Sequence, residues 1–181
     1  MTDLTMLVNA EHPLPLDWEP DDLIELWKVQ PRHYYLAPRS TKLVSSAAEA
    51  ANELFAFAEQ QGIEDYTVLS AYRDSDYQAG LFASGDNDMV ARPGCSEHQT
   101  GLAMDISQFA FGRHPLDGAH VAWLVQNCWN YGFILRYPLG REDVTGIPAE
   151  PWHFRYVGRD AALEMRDRGW VLEEWHTAHG G

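Results

Sequence analysis

The sequence predicts a single domain of the α+β class, and three observations support this fold class. The chain has 181 residues, of which 45% are hydrophobic, and this fits one domain with a substantial core. Segments with helical spacing of apolar residues are interspersed with short segments that alternate as strands do. These segments lack the regular strand–helix alternation of a doubly wound parallel sheet, so the α+β class fits better than α/β.

In chain order, the first segment is an arm rich in proline and aromatic residues. Five of the ten prolines fall within the first 38 residues, together with two tryptophans and two tyrosines. Proline at this density prevents long regular elements, whereas the aromatic side chains can be buried. We therefore predict that residues 1–40 form an ordered arm, packed on a domain that spans residues 41–181.

The later elements follow from hydrophobic periodicity. Seven apolar positions at helical spacing predict a helix over residues 41–61, which a glycine ends. Strict alternation predicts a strand over residues 102–107, with Asp105 on the face opposite Met104 and Ile106. The other predicted elements are strands at 66–72, 133–137 and 153–157 and helices at 75–83, 117–130 and 160–168.

The charge balance argues against one large class of function. Acidic residues outnumber basic ones by 27 to 13, which gives a formal net charge of −14. Because binding of a polyanion relies on a basic surface, we do not expect nucleic acid as a partner. No stretch approaches the roughly 20 apolar residues of a transmembrane helix, so we predict no membrane span.

The location of the protein and the state of its cysteines stay open at this level. The first residues lack the basic start of a secretory signal. We therefore expect a cytoplasmic protein if the chain is complete, and an extracytoplasmic one if a signal or anchor was removed. Cys95 and Cys128 are too few for a disulfide framework or a thiolate metal site, and they either form one bridge or remain free thiols.

The segment SEHQTGLAMD brings two metal-binding residue types close together. His98 lies in a predicted loop between two glycines, and Asp105 lies on the predicted strand that follows. Zinc accepts imidazole nitrogen and carboxylate oxygen, and a catalytic zinc site uses three protein ligands and keeps one position open. A surface loop followed by an edge-strand aspartate explains the same pattern, so this motif alone does not decide between the two interpretations.

The segment EPWH adds a glutamate–histidine pair. A zinc hydrolase needs a third ligand and an unliganded carboxylate that takes a proton from water, and His153 and Glu150 can supply them. Because Pro151 disfavours a helical conformation at Glu150, we expect Glu150 to end a loop that leads into the strand carrying His153. The alternative is a solvated glutamate and a core histidine beside Trp152.

Arg73 stands between a predicted apolar strand and a polar turn. A guanidinium group at a strand end can bind a substrate carboxylate with its planar fork, or stabilise the oxyanion of a tetrahedral intermediate. An ordinary surface salt bridge to Asp74 or Asp76 is the alternative.

Three segments, taken in order, resemble the VanY-type D-alanyl-D-alanine carboxypeptidases, zinc metallopeptidases that trim bacterial cell-wall peptides. The segments are SAYRDSDYQAGLF, PGCSEHQTGLAMDIS and YGFILRYPLGREDVTGIPAEPWHFRYVG. The resemblance runs from about residue 7 to about residue 175, and the combination of SxHxxGxAxD with EPWH is highly specific. It implies a small α+β domain with a central antiparallel sheet flanked by helices, as in Hedgehog-like D,D-peptidases.

The same resemblance implies the roles of individual residues. It implies one zinc ion per chain, held by His98, Asp105 and His153. It further implies that Glu150 is the general base, and that Arg73 contacts the substrate and stabilises the oxyanion.

The resemblance also implies a substrate and a pocket for it. The substrate class is a peptidoglycan stem peptide that ends in D-alanine. Gln78 and Ser96 match positions that line the substrate pocket, and Trp152 shapes its wall. Residues 41–181 then form the zinc peptidase domain.

Three alternatives to a D,D-carboxypeptidase remain at this point. The same fold supports an L,D-carboxypeptidase that acts on tetrapeptide stems and a lysin-type peptidoglycan endopeptidase. A non-catalytic, zinc-stabilised peptide-binding module is a more remote alternative, and Glu150 argues against it because a purely structural site has no use for an unliganded carboxylate. The sequence does not indicate the oligomeric state.

Overall fold

A computed structural model describes residues 2–38, 42–84, 90–108 and 118–180. The strands are β1 (Leu23–Glu25), β2 (Tyr35–Leu36), β3 (Lys42–Val44), β4 (Tyr66–Ser70), β5 (Ala103–Gln108), β6 (Phe133–Tyr137) and β7 (Glu150–Tyr156). The helices are α1 (Ser45–Gln60), α2 (Ser75–Ser84), α3 (Gly118–Asn127), α4 (Glu142–Thr145), α5 (Arg159–Arg168) and α6 (Leu172–Ala178). Short 3₁₀ turns lie at Leu26–Lys28, Glu97–Thr100 and Cys128–Tyr131.

The central element is a five-stranded sheet with the strand order β2-β4-β5-β7-β6. The three pairs β4–β5, β5–β7 and β7–β6 are antiparallel, which confirms the expected central antiparallel sheet. The edge strand β2 is parallel to β4. This difference has a topological reason: the chain passes from β2 to β4 through β3 and α1, and such a crossover connects parallel strands.

The two faces of the sheet differ in composition. Met104 pairs with Phe154 across β5 and β7, and both side chains are buried in the main apolar core, to which α1 also contributes. The next pair along the same two strands, Asp105 and His153, faces the other side of the sheet. The alternation predicted for residues 102–107 is therefore confirmed.

The predicted helix over residues 41–61 begins later than expected, at Ser45. Leu43 and Val44 belong instead to β3, where they pair with β1 and are completely buried. A buried strand leaves the same run of apolar residues as a buried helix, which explains the error. The helix starts at Ser45 because its amide and hydroxyl both donate to Asp22, at 3.0 Å and 2.9 Å.

Most other predicted elements are confirmed with shifted ends. The strand at 133–137 coincides with β6, and the helix at 160–168 is α5 with one residue added. The helix at 117–130 divides into α3 and a 3₁₀ turn, and its expected start at 117 lies outside the described residues. The expected loop ending at Glu150 is wrong, because Glu150 is already the first residue of β7. Helix α6 was not predicted.

The N-terminal segment is held against the rest of the chain by strands and by backbone hydrogen bonds. Strands β1 and β2 both come from it and pair with β3 and β4. The amide of Leu14 donates to the carbonyl of Gly94 at 2.8 Å, and the Gln99 side chain donates to the carbonyls of Pro15 and Trp18 at 3.1 Å. These contacts join the N-terminal segment to residues that precede and follow His98 in the chain. The domain boundary at residue 40 stays a prediction.

Two further expectations concern membranes and thiols. Among the described residues, no helix combines the length and the apolar character that crossing a bilayer requires. Cys95 and Cys128 are both free thiols, and only Cys128 is fully buried.

Candidate active site

A cleft of about 720 Å³ opens over the polar face of the sheet, beside the 3₁₀ turn Glu97–Thr100. Most of the site residues predicted from the sequence line it, and they are Arg73, Ser96, His98, Asp105, Glu150, Trp152 and His153. Residues far apart in the chain therefore meet at one place.

Three of these side chains form a cluster that can hold a metal ion. One ligand atom each from His98, Asp105 and His153 lies within 4.8 Å of the other two. Asp105 Oδ2 is 3.3 Å from His98 Nε2, and Asp105 Oδ1 is 2.9 Å from His153 Nδ1. In a tetrahedral zinc site with bonds of about 2.0–2.1 Å, ligand atoms lie roughly 3.3–3.4 Å apart. Both the donor set and its spacing therefore fit zinc.

The fold brings these ligands together through strand register and one tight turn. Asp105 on β5 lies directly opposite His153 on β7, so their side chains are neighbours on the same face. His98 lies in the 3₁₀ turn before β5, and Gly101 ends this turn with φ +66°. The left-handed backbone conformation favours glycine there, and a Cβ atom at Gly101 would lie 2.7 Å from a methyl group of Leu23, which would have to move.

The two histidines present different nitrogens to the cluster. Nδ1 of His98 lies 2.7 Å from the carbonyl oxygen of Ala71, so it carries the proton and Nε2 is free to bind. The ring of His153 is turned the other way, with Nδ1 toward Asp105 and Nε2 3.4 Å from Oε2 of Glu97. Each ring thus has an acceptor behind it.

Electrostatics in the metal-free cluster favour an anionic aspartate. Burial alone would raise the pKa of Asp105, but the two histidines hold it well below the usual range. For His153, burial would lower the pKa, yet Asp105 and Glu97 raise it to about 9. Burial and the nearby Arg73 lower the pKa of His98. The cluster is therefore a strongly coupled, anion-centred site that suits a cation.

Glu150 lies beside the cluster and is positioned by the end of a strand. It pairs with Tyr137 of β6, and its Oε2 is 3.7 Å from Nδ1 of His153. Burial raises the pKa of Glu150 above its usual value. The extended conformation expected before Pro151 is present, and β5 pairs with β7 only from His153 onward, so the missing amide of Pro151 costs no hydrogen bond to β5.

Arg73 follows β4 and lies in the wall of the cleft. Its amide donates to the carbonyl of His98 at 3.2 Å, and its Nη2 donates to the Ser96 hydroxyl at 3.5 Å. Within the described part of the chain, its Nε is buried and has no partner. Asp74 caps α2 through the Tyr77 amide at 2.7 Å and forms no ion pair with Arg73. The surface salt bridge considered as the alternative is therefore absent from the described residues.

The three residues expected to line the substrate pocket have different positions. Ser96 lines the cleft beside Arg73, and Trp152 lies on its rim with 37% of its surface exposed. Gln78 does not line the cleft: it is fully buried, and its Nε2 donates to the carbonyl of Ala91 at 2.7 Å. Ala91 does line the cleft, so the structure places Gln78 behind the wall, in contrast to the expectation of a direct contact.

Sequence reasoning missed a group of buried charges behind the cluster, which we call the Glu97 network (Glu97, Arg136, Arg155 and Glu173). Oε1 of Glu97 accepts from Nε of Arg136 at 2.7 Å and lies 3.0 Å from Nη1 of Arg155. Arg136 also donates two bonds to the carboxylate of Glu173 on α6. An arginine inside the apolar strand sequence FILRY is the signal that could have revealed this network.

The charges of the Glu97 network compensate one another. Burial would raise the pKa of Glu97, but Arg136, Arg155 and His153 hold it well below its usual value. Two guanidinium groups and two carboxylates bring the formal charge of the network to zero, which is the condition for burying them.

Comparison with known proteins agrees with this geometry. Residues 40–159 match the family model described as VanY, D-alanyl-D-alanine carboxypeptidase. The chain is 36% identical to the bifunctional D-Ala-D-Ala dipeptidase and D-Ala-D-Ala carboxypeptidase VanXYC of Enterococcus gallinarum, over 94% of this chain and 92% of that protein.

Two solved structures are similar over nearly the whole chain. The LdcB LD-carboxypeptidase superposes with a TM-score of 0.80 at 36% identity, covering 94% of this chain and 84% of that one. A mutant of the vancomycin-resistance D,D-pentapeptidase VanY in complex with Zn(II) superposes with a TM-score of 0.74 at 31% identity, covering 95% and 98%.

Proposed function

Because the chain belongs to the VanY family of D-alanyl-D-alanine carboxypeptidases, we propose that it is a zinc-dependent carboxypeptidase. It hydrolyses the terminal D-alanine from bacterial peptidoglycan stem peptides or their precursors. One zinc ion per chain is held by His98, Asp105 and His153.

The observation that carries this proposal is the position of Glu150. Its carboxylate lies beside the three-residue cluster, in the cleft, without being needed to complete it. A structural metal site is closed by four protein ligands, whereas a catalytic site keeps one position open and a base next to it. An unliganded carboxylate at this point therefore supports hydrolysis over mere peptide binding.

The reaction divides between the metal and the side chains of the cleft. When bound, zinc supplies Lewis acidity that polarises the scissile carbonyl. Glu150 accepts a proton from the attacking water as the water oxygen bonds to the carbonyl carbon. When the carbon–nitrogen bond breaks, Glu150 returns this proton to the amine of the departing D-alanine. One carboxylate can serve both steps, because Glu150 lies in the cleft beside the cluster, with its Oε2 3.7 Å from Nδ1 of His153.

Arg73 supplies positive charge in the wall of the same cleft. Its guanidinium is fixed by Ser96 and by burial, so it is oriented before substrate binds. Because Arg73 lines the cleft, its guanidinium can donate to the developing oxyanion or to a substrate carboxylate.

An L,D-carboxypeptidase is the second candidate, because the similar LdcB structure is an LD-carboxypeptidase. Both activities use the same chemistry and differ in the configuration of the residue that precedes the scissile bond. The choice therefore depends on the substrate and not on the metal cluster.

Defined stem peptides test the proposal. The zinc-loaded protein is incubated separately with a pentapeptide ending in D-Ala-D-Ala, the tetrapeptide that lacks the last D-alanine, and the pentapeptide as its C-terminal amide. We expect one D-alanine to be lost from the pentapeptide alone, as measured by mass spectrometry. Cleavage of the tetrapeptide alone would assign the L,D activity, and internal cleavage that includes the amide would assign an endopeptidase. Zinc binding with no cleavage of any peptide would contradict a catalytic role.

A further inference from the structure

On the side of the His153 ring away from Asp105, Nε2 faces the carboxylate of Glu97, a residue that also contributes to the lining of the cleft. Glu97 is 2% exposed, and its Oε2 lies 3.4 Å from Nε2 of His153. The same residue is the direct neighbour of His98 in the chain, so it belongs to the turn that supplies another ligand.

The two carboxylate oxygens of Glu97 have different partners. Oε1 faces both guanidinium groups: it accepts a hydrogen bond from Nε of Arg136 at 2.7 Å, and it lies 3.0 Å from Nη1 of Arg155 in an ion pair. Oε2 is left to face His153. An ionised carboxylate only accepts hydrogen bonds, so each ring nitrogen that faces one carries a proton in the metal-free protein. A metal ion bound beside Asp105 replaces the proton on Nδ1, and Glu97 keeps the proton on Nε2.

This arrangement decides which nitrogen of His153 can bind a metal. A neutral imidazole carries its proton on one nitrogen and its free lone pair on the other. With the proton on Nε2, the lone pair lies on Nδ1, which is the nitrogen 2.9 Å from Asp105. The opposite tautomer would turn an N–H toward the cluster and prevent binding.

The two arginines are themselves held by distant parts of the chain. Arg136 is clamped by both oxygens of Glu173, on α6. Arg155 donates to the backbone carbonyls of Leu4 and Met6, at 3.2 Å and 3.0 Å. Glu97 therefore cannot swing away from His153 without breaking several buried hydrogen bonds.

We propose that Glu97 is a positioning residue of the metal centre, which holds His153 in the Nε2-protonated tautomer with Nδ1 toward the cluster. The inference rests on the proposed zinc site. Glu97 acts through His153: its carboxylate faces His153 and the two arginines, and it is not one of the three residues of the metal cluster. Carboxylates behind ligating histidines commonly contribute tenfold to a hundredfold to metal affinity.

Glu97→Gln tests this role, because glutamine keeps the size of the side chain but can turn an NH₂ group toward His153. The matched control is Glu173→Gln, which removes a carboxylate from the same Arg136 without touching His153. Zinc dissociation constants are measured by competition with a chromophoric chelator, and unfolding midpoints by denaturant titration. We expect zinc affinity to fall about tenfold to a hundredfold in Glu97→Gln and less than about threefold in Glu173→Gln, although both lower the unfolding midpoint.

A measurement on the unaltered protein keeps the test decisive if Glu97→Gln does not fold. Long-range ¹H–¹⁵N NMR spectra of the zinc-loaded protein distinguish a protonated from a metal-bound ring nitrogen. We expect the His153 ring to show a protonated Nε2 and a metal-bound Nδ1. A metal-bound Nε2 would overturn the inference.

The possible failures are distinguishable. If the unaltered protein binds no zinc, the proposed function itself is wrong. If it binds zinc and both variants lose affinity equally, or neither does, then the Glu97 network is only structural and the positioning role is refuted.

Discussion

The same strands build both faces of the central sheet, but the side chains on the two faces differ in whether they need specific partners. On one face, Met104 and Phe154 are completely buried among other apolar side chains and need no individual partners. On the other face, His153 and Arg155 are buried and Asp105 is half-buried, and each has a charged partner at a defined distance. Apolar packing tolerates approximate fit, whereas a buried charge that loses its partner is penalised directly.

The comparison predicts which property of the protein a substitution on each face should change. A substitution on the apolar face should lower the free energy of unfolding and leave the chemistry of the native molecules intact. A substitution on the polar face should change metal binding or turnover, and these effects need not follow stability. Neighbouring residues in β7 allow both expectations to be tested within one strand.

The largest effect is expected from His153→Ala. This variant removes one of three ligands, and two ligands do not make a catalytic zinc site. We expect zinc to fall well below one ion per chain, as measured by atomic emission after dialysis, and hydrolysis of the pentapeptide to fall to background.

Phe154→Ala is the matched variant on the apolar face. It should cost about 3–5 kcal/mol of stability, because it leaves a cavity in the core. Where it is folded, it should retain one zinc ion and nearly normal kcat. Loss of zinc from folded Phe154→Ala protein would show that the two faces are not independent.

A smaller but still large effect is expected from Glu150→Gln. The substitution keeps the size of the side chain and removes the base, whose loss typically costs roughly a hundredfold to ten-thousandfold in rate. Zinc content and the unfolding midpoint should stay near those of the unaltered protein. A variant that binds zinc and still hydrolyses peptide at the normal rate would exclude Glu150 as the base.

The apolar face was the easier one to predict from sequence. Alternation alone placed Met104 and Ile106 opposite Asp105, because strand geometry has a fixed period of two. The helix start at Ser45 was missed because a buried strand and a buried helix leave the same apolar run, and the hydrogen bonds to Asp22 that begin α1 join segments 23 residues apart.

The polar face was predictable only where its residues fall into a compact motif. The metal ligands and Glu150 were proposed because the motifs SxHxxGxAxD and EPWH resemble a known family. Glu97 stands inside the first motif and was passed over, since its partners Arg136 and Arg155 are 39 and 58 positions away in the sequence. Long-range charge pairing is set by tertiary structure and leaves little local signal.

A substitution of Arg73, in the wall of the cleft, should have a smaller effect on turnover than the loss of Glu150. Arg73→Lys keeps the charge but loses the planar fork, so it should not behave as a conservative change. If the guanidinium stabilises the oxyanion, kcat should fall about a hundredfold with zinc content unchanged. Steady-state kinetics on folded protein decide: a rise in KM alone would indicate ground-state binding, and unchanged constants would remove Arg73 from the site.

The effect that is smallest at neutral pH concerns a titratable group in the apolar core. Cys128 is completely buried, and burial raises the pKa of its thiol to about 12. An unfolded thiol ionises near pH 8.5 to 9, so the unfolded state releases a proton there that the folded state keeps. The contribution of Cys128 is therefore fully present below about pH 9 and is lost as the pH rises toward 12, at up to about 1.4 kcal/mol per pH unit.

Cys128→Ala isolates this contribution, because every other alkaline titration is shared by the two proteins. Urea unfolding between pH 8 and 11 should show a shallower decline of stability in the variant than in the unaltered protein. The variant should start less stable at pH 8, since alanine leaves a small cavity, and the two curves should converge as the pH rises. Parallel curves would mean that the thiol ionises equally in both states, and that burial does not raise its pKa in the folded protein.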